Sequence, residues 1–390
     1  MARRIATGID IGTHQVKIVV TEEVHGPDGA RMPRIIATGL AESKGLRHGY
    51  VVNRTDVAES IIAAKREAER GAGFPVKSAF LAIGGASLDE LRATGETVIA
   101  RADQEVTDMD LAATENAARE TIAPALINRI VLHVIPVAYR LDGAPVLGGT
   151  PRGMKGTRLS VDYVFVTALS QHVEALVGAV EDADIEVVDK MASPLAGSNV
   201  LLTKDQKMKG CVLANIGAET VSIVVFDYGI PLSVKMFSIG STSITDDIAL
   251  GLRIPLDEAE RLKLGKLGGA MYPRKKIEEI IAARLSAMFD LIDKHLKVIG
   301  RRGLLPAGIA LSGGGAGAGS ISDIARHSLA LPARIAELRL PPDTKLRDST
   351  WAVAYGLTLW GLTGETDIER KGAFASLGHT LRRFVRQFLP

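Results

Sequence analysis

The segment DIGTHQVKIVV at residues 10–20 returns as NIGAETVSIVV at residues 215–225, with six of eleven positions identical. Each copy is an apolar lead-in, a glycine-centred turn and a β-branched run, which reads as strand, tight turn, strand. The chain is therefore expected to hold a pair of β-hairpins in two related halves. A hairpin with Gly12 or Gly217 at its tip exposes backbone N–H groups with little side-chain obstruction, and converging N–H groups form an anion nest. Two such tips facing each other would grip a polyphosphate.

The rest of the chain suits that plan. Its 390 residues are enough for several domains of about 100 to 200 residues each. Apolar residues make up 46% and aromatics only 4%, the Val/Ile/Leu/Ala interior that α/β proteins use. A net charge of +2 creates no whole-protein field for nucleic acid, so any charged surface must be met by a local patch. The single cysteine, Cys211, leaves no internal disulfide or cysteine metal cluster and points to a reducing, cytosolic compartment. The apolar stretch after Arg3 and Arg4 is broken by Asp10, too soon for a signal-peptide core, and no run of about 18 apolar residues exists to span a membrane. The eight histidines show no metal-ligand spacing, and His133 in VLHVIPV reads as a half-buried strand residue rather than a catalyst.

Along the chain, 1–84 reads as two strands, a third extended run at RIIATGLAE, a helix over DVAESIIAAKREAER and a strand at KSAFLAIGG. Residues 85–162 change texture and are expected to form a small inserted α+β subdomain, with a helix near DMDLAATENAARETI and the extended RIVLHVIPVAYRL. The first half then resumes with YVFVTAL and fills 163–195. The second half takes 196–242 and 303–347, interrupted over 243–302 by three helices in a row. DSTWAVAYGLTLWGL, 348–362, reads as an apolar helix returning to the first half, 363–375 as a polar linker and 376–390 as a separate terminal segment.

SGGGAGAGSI places Gly313, Gly314 and Gly315 between the strand AGIAL and a helix starting near Ser320, where backbone can approach a flat ligand closely. Alone, such a turn serves equally well as tight packing; its place after both hairpins favours nucleotide binding. Glu260 and Lys263, three apart on an expected helix, put a carboxylate and a long cation on one face, as a ligand site or as a surface ion pair.

These segments resemble the FtsA family, the actin-like bacterial cell-division proteins of the actin and sugar-kinase superfamily. The resemblance is carried by GIDIGT, KSAFLAIGG, HVIP, GMKGTRLSVD, GSTSITDDIALGLRIPLDEAERLKLG and LSGGGA, in that order over nearly the whole chain. It implies an α/β, actin-like ATPase fold with ATP and Mg2+ in the cleft between the halves, and an SHS2 insert in place of an actin subdomain. It further implies that Gly12 and Thr13 hold phosphate, Glu260 the ribose hydroxyls, that Lys263 lies over the adenine, and that Gly313, Gly314 and Gly315 receive the nucleoside. Asp10, Lys17, Asn215, Gly217, Thr220 and Gly240 complete the expected nucleotide set, with Asp10 and Asn215 holding Mg2+ indirectly. No catalytic residue is assigned.

Departures from the family pattern gather in the second hairpin. The superfamily usually carries Asp and then a Gly-Gly-Gly-Thr-Thr-Asp tip, whereas this chain has Asn215, Gly217, Ala218 and Glu219. Asn offers a carbonyl oxygen without the charge, which weakens a hard-cation site, so slow or absent hydrolysis is expected. Glu219 would set negative charge beside phosphates. In the first hairpin the family's usual Lys is Gln15. Lys17 shares that strand face and is the replacement phosphate cation, or else an ordinary solvated strand lysine.

The terminal SLGHTLRRFVRQFLP spaces Leu377, Leu381, Phe384, Val385, Phe388 and Leu389 into one helical stripe, with Arg382, Arg383 and Arg386 on the remaining faces. It is too short and charged to span, and is expected to lie flat on an anionic lipid membrane rather than dock on the protein body. The resemblance then implies an ATP-binding protein that polymerises with itself on the inner face of the cytoplasmic membrane at the septum. It would tether the FtsZ ring through the FtsZ C-terminal peptide and recruit later divisome proteins, with no nucleic-acid partner. Two readings compete. A small-molecule kinase of the superfamily would need a catalytic Asp base that no motif supplies, and a PilM-like pilus-assembly protein would share the insert but lack such a tail.

Overall fold

The computed structural model describes residues 3–25, 31–266, 272–338, 340, 346 and 348–368. The first half opens with β1 (Ile5–Ile11) and β2 (Gln15–His25), an antiparallel hairpin in which Ile9 faces Ile18 and Asp10 faces Lys17. β3 (Arg31–Glu42) adds antiparallel to β2, and a small ribbon of β4 (Leu46–Arg47) and β5 (Tyr50–Val51) follows. α1 (Arg54–Ala72) starts where Asn53 accepts from the Thr55 and Asp56 N–H groups and stops at Gly73 with φ +78°. β6 (Ser78–Ile83) then lies parallel to β1.

The insert follows as β7 (Asp89–Val98), α2 (Asp108–Ile122), β8 (Arg129–Leu141), β9 (Ala144–Val146) and β10 (Arg158–Leu169), an antiparallel sheet in the order β7-β10-β8-β9. YVFVTAL, expected to resume the sheet of the first half, is instead the second part of β10 and stays paired with β7 and β8, so the insert's sheet runs past residue 162. The strand is long because its alternate residues serve two cores: Val161, Tyr163 and Phe165 pack in the insert, Val164 and Val166 in the first half.

α3 (Ser170–Glu181) leads to β11 (Glu186–Ala192), which pairs parallel with β6 and completes the sheet β11-β6-β1-β2-β3. α4 (Ser193–Leu201) and α5 (Lys204–Lys209) cross to the second half. There β12 (Cys211–Ile216), β13 (Val221–Asp227) and β14 (Ile230–Phe237) precede α6 (Ser241–Leu252), α7 (Leu256–Lys263) and α8 (Arg274–Val298). β15 (Ile309–Ser312), α9 (Ile321–Leu329) and β16 (Ala333–Ile335) follow. The order β14-β13-β12-β15-β16 reproduces the first sheet strand for strand, antiparallel on the hairpin side and parallel on the other. The fold is an α/β architecture of two related halves with an inserted α+β subdomain.

α10 (Ala352–Ile368) returns to the first half and packs on β1 and α4. Contact is backbone to backbone: a Cβ on Gly8 would lie 2.1 Å from the Ala354 carbonyl oxygen, and one on Gly356 1.9 Å from that of Ala196. α4 and α10 therefore sit between the sheets. Cys211, Leu213, Val224 and Phe226 share their core, while Val212, Ala214, Ile223 and Val225 point the other way, into the core of α8 and α9. α10 reaches Ile368, so the expected linker is helical from 363 to 368. It holds no proline there, and Leu362 just before it is still buried. Residues 369–375 and the terminal segment 376–390, including the whole expected membrane face, lie outside the described residues.

Candidate functional site

Both hairpin turns close in the same way. The Gly12 N–H donates to the Gln15 carbonyl at 3.0 Å, and the Gly217 N–H to that of Thr220 at 2.8 Å. Those two amides are consumed within the turns, so a nest at either tip would have to be built from the amides of the residues that follow them. The tip residues are Thr13 and His14 in one hairpin, Ala218 and Glu219 in the other.

One pleat below each tip the copies differ by a matched pair. Asp10 faces Lys17, whereas Asn215 faces Ser222. Lys17 is only 9% exposed, so it is not a solvated strand lysine. Its ammonium lies 5.9 Å from the centre of the Trp351 ring and, among the described residues, makes no hydrogen bond or ion pair. Burial lowers the Lys17 pKa against the charges of Asp10 and Asp348, which act to raise it. Burial pushes Asp10 up to about 6 against the opposing charge of Lys17. Removing one charge of such a pair leaves the other uncompensated, and the second copy has lost both together. The Asn that opens the second repeat thus goes with Ser222 as a neutral pair.

The second tip is clamped from two sides. The Ser241 N–H donates to the Gly217 carbonyl at 2.9 Å, and the Thr242 N–H to that of Ala218 at 2.8 Å, which ties the start of α6 to the turn. Gly240 is required there, since a Cβ would lie 2.3 Å from the Ala218 carbonyl oxygen. From the other side the Glu219 carboxylate accepts the His48 N–H of the first half. Glu219 was expected to turn its charge on phosphates; that charge is met by a backbone amide instead.

On α7, the Lys263 ammonium lies 2.7 Å from the Glu260 carboxylate and donates to Thr245 Oγ1 at 2.9 Å and to the Ser241 carbonyl at 3.2 Å. The Thr245 hydroxyl donates to Glu260. The two residues therefore form an ion pair, but one docked on the start of α6: the Lys263 side chain is 12% exposed and that of Glu260 42%. Burial works to raise the Glu260 pKa, yet the bonds from Lys263 and Thr245 and the charges of Lys263 and His14 outweigh it and hold the carboxyl below its ordinary value. The influence of His14 places the first hairpin tip within electrostatic reach of Glu260. Sequence analysis did not single out Thr245. Its position four residues after Ser241 in GSTSITDDIALGL, hence on the same helix face, was the available signal.

The glycine turn divides by role. Gly313 has φ +86°, and a Cβ there would lie 2.2 Å from Asn215 Oδ1 and 2.5 Å from the Ile216 carbonyl oxygen. A Cβ on Gly315 would meet Ile216 Cγ2 at 2.5 Å, whereas one on Gly314 would have no atom within 4 Å. Two of the three glycines serve packing against the second hairpin, and Gly314 faces open space. Among the described residues no group of three His, Cys, Asp or Glu side chains could hold a metal ion. His133 is 4% exposed, deeper than expected, and its Nε2 accepts the Ala192 N–H at 3.0 Å, so burial takes its pKa down to about 3 and it serves as a neutral core acceptor.

Residues 212–356 match the family model for cell division protein FtsA, and residues 88–167 match that for the SHS2 domain inserted in FtsA. The chain is 30% identical to the cell division protein FtsA of Pseudomonas aeruginosa, covering 93% of this chain and 91% of the relative. It is 29% identical to that of Bacillus subtilis, over 90% and 81%. Among solved structures it is similar to a chain of a PilM–PilN type IV pilus biogenesis complex, with a TM-score of 0.69, 20% identity and coverage of 92% and 98%. It is also similar to MreB5 of Spiroplasma citri bound to ADP, with a TM-score of 0.53, 14% identity and coverage of 94% and 99%. Those structures share its fold, whereas the duplicated sheets, the insert and the sequence matches go further: the chain belongs to the FtsA family of cell division proteins.

Proposed function

We propose that the protein binds ATP between its halves with little or no turnover and polymerises on the inner face of the cytoplasmic membrane at the division septum. There it tethers the FtsZ ring through the FtsZ C-terminal peptide and recruits later divisome proteins. The observation that carries this reading is that the first hairpin tip, through His14, lies within electrostatic reach of the Glu260–Lys263–Thr245 group, while a glycine turn is packed against the second hairpin. The arrangement fits a nucleotide. Lys17 is a buried cation that, among the described residues, has no counter-charge in bonding distance, Glu260 is held ionised to accept from ribose hydroxyls, and Gly314 leaves an open backbone face for the nucleoside. Bound ATP would supply the polyanion that draws the halves together. Solved MreB5 structures with ADP and with AMPPNP lend the reading support. Asp10 and Asn215 offer Mg2+ one carboxylate and one amide, a weak pair for a hard cation. Membership of a cell-division family disfavours the PilM-like and kinase readings. The test is co-sedimentation of the full chain with anionic liposomes and ATP, alongside calorimetry with Mg2+. Absence of ATP affinity would remove the cleft assignment.

A further inference from the structure

The insert is joined to the second hairpin tip by two routes, one wholly outside the expected nucleotide set and one that reaches the tip through Gly240. The first passes through the β4–β5 ribbon. Gly49, φ +80°, rests backbone on backbone against Gly85, φ +83°, at the junction of β6 and the insert; a Cβ on Gly49 would lie 2.2 Å from Gly85 Cα. The neighbouring Ala86 N–H donates to the His48 carbonyl at 3.0 Å. The N–H of that same His48 donates to Glu219, 171 residues away at the second tip, and its Nδ1 lies 3.4 Å from the Glu219 carbonyl oxygen. One residue thus holds the insert with its carbonyl and the hairpin with its amide.

The second route runs along β14. The Lys235 ammonium lies 2.6 Å from Asp89 of the insert, the Val234 N–H donates to Glu90 at 2.8 Å, and Arg92 donates to the Leu232 carbonyl at 2.7 Å. From the end of β14 the chain runs on to Gly240, at the start of α6, which packs against Ala218 of the same tip.

We infer that the insert and the second hairpin tip form one mechanical unit, geared through the His48 loop and β14, so that displacing the insert shifts the tip at the cleft. Backbone packed on backbone at Gly49 and Gly85 has no side-chain slack in which movement could be absorbed. Coupling also needs an element with two arrangements, and the charge-assisted His48–Glu219 bond supplies them by being made or broken. The link to the cleft's ligand rests on the ATP reading above; the gearing itself does not.

Amide hydrogen exchange on the ligand-free full chain tests the gearing. In Glu219→Ala the His48 amide should exchange at least about tenfold faster, as expected for loss of a hydrogen bond to a charged acceptor. The Ala86 amide should follow it, while the β12 and β13 amides keep their protection. Glu219→Gln, which retains an acceptor oxygen, should fall between. Faster exchange at His48 alone would overturn the gearing, and no change at either would overturn the latch. If Glu219→Ala strips protection from β12, the same comparison on Glu219→Asp decides, because the shorter side chain withdraws the carboxylate and keeps the charge. A second arm follows release of a fluorescent ATP analogue with Mg2+, expected to be several-fold faster in Glu219→Ala. Unchanged release with both amides exposed would overturn the coupling to the cleft. Absence of binding in wild type and variant alike would overturn the ATP reading and leave the amides to decide the gearing.

Discussion

Adjacent glycines in the 313–315 turn should respond to the same substitution in opposite ways. Gly313→Ala puts a side chain on backbone at φ +86° and ψ 170°, a region essentially reserved for glycine that costs about 1 to 3 kcal/mol for other residues. Its Cβ would also lie 2.5 Å from the Ile216 carbonyl oxygen, which cannot swing away as the Asn215 side chain can. Overpacking of that kind adds roughly 1 to 3 kcal/mol, so the variant should lose about 2 to 5 kcal/mol from a fold worth on the order of 5 to 15. Gly314→Ala meets nothing within 4 Å and should be neutral in stability or gain a few tenths of a kcal/mol from the unfolded state. If the nucleoside lies against that face, the new methyl group should weaken ATP at least about tenfold, or ~1.4 kcal/mol. Urea unfolding midpoints read the first effect and calorimetry the second. A wild-type midpoint for Gly313→Ala would refute the packing argument, and wild-type ATP affinity for Gly314→Ala would refute the assignment of that face to a ligand.

His133 should make stability pH-dependent. Its folded pKa of about 3 lies below the unfolded value of 6.5, so between those values the unfolded chain binds the extra proton and stability is lost as pH falls. By pH 5 the deficit from this residue should reach about 2 kcal/mol, and His133→Gln, whose amide oxygen can still accept from Ala192, should flatten the urea-midpoint profile there. At the terminal segment, Phe384→Glu with Phe388→Glu should release the protein from anionic liposomes with its circular dichroism unchanged; continued co-sedimentation would sink the membrane assignment.

The duplication was legible because a hairpin is local: strand, glycine turn and strand occupy eleven residues, and their register fixes which side chains face each other. Asp10, Asn215 and the glycine turn could be placed from that alone. The cradle of Glu260 could not, because Thr245 reaches it from another helix. Nor could the bond from His48 to Glu219, since nothing near Glu219 in sequence shows that its carboxylate leaves the cleft for an amide 171 residues away. The misjudged edges have the same origin. YVFVTAL is equally apolar in either sheet, and only the two cores it serves assign it to the insert. The polar sequence of 363–368 resembled a linker, but polarity does not end a helix that meets no proline.

Asp10 and Lys17 give the most demanding test, because the chain carries its own neutral version of the pair in Asn215 and Ser222. Lys17→Met should destabilise the protein at neutral pH, since it leaves the Asp10 carboxylate charged and largely desolvated with no cation opposite. Breaking a fully buried pair costs roughly 3 to 5 kcal/mol; Asp10 keeps partial exposure, so about 1 to 3 is expected. Asp10→Asn in the same chain should recover most of that loss by copying the second hairpin, giving a positive coupling in the double-mutant cycle. The pH dependence separates charge from packing. Burial already raises the folded pKa of Asp10 to about 6 against a Lys17 charge that lowers it, so Lys17→Met must raise it further. From the unfolded value near 3.8 up to that folded value the native state binds the extra proton, so stability drains away as pH rises through the window. Wild type shares that loss up to about pH 6, so the deficit of Lys17→Met should be small at pH 4 and open as pH rises from about 6, becoming large by about pH 8. An equal deficit at both would mean that only the packing of the lysine chain was lost. Failure of Asp10→Asn to restore stability would mean that the two side chains do not sense each other, and that Asn215 and Ser222 diverged independently.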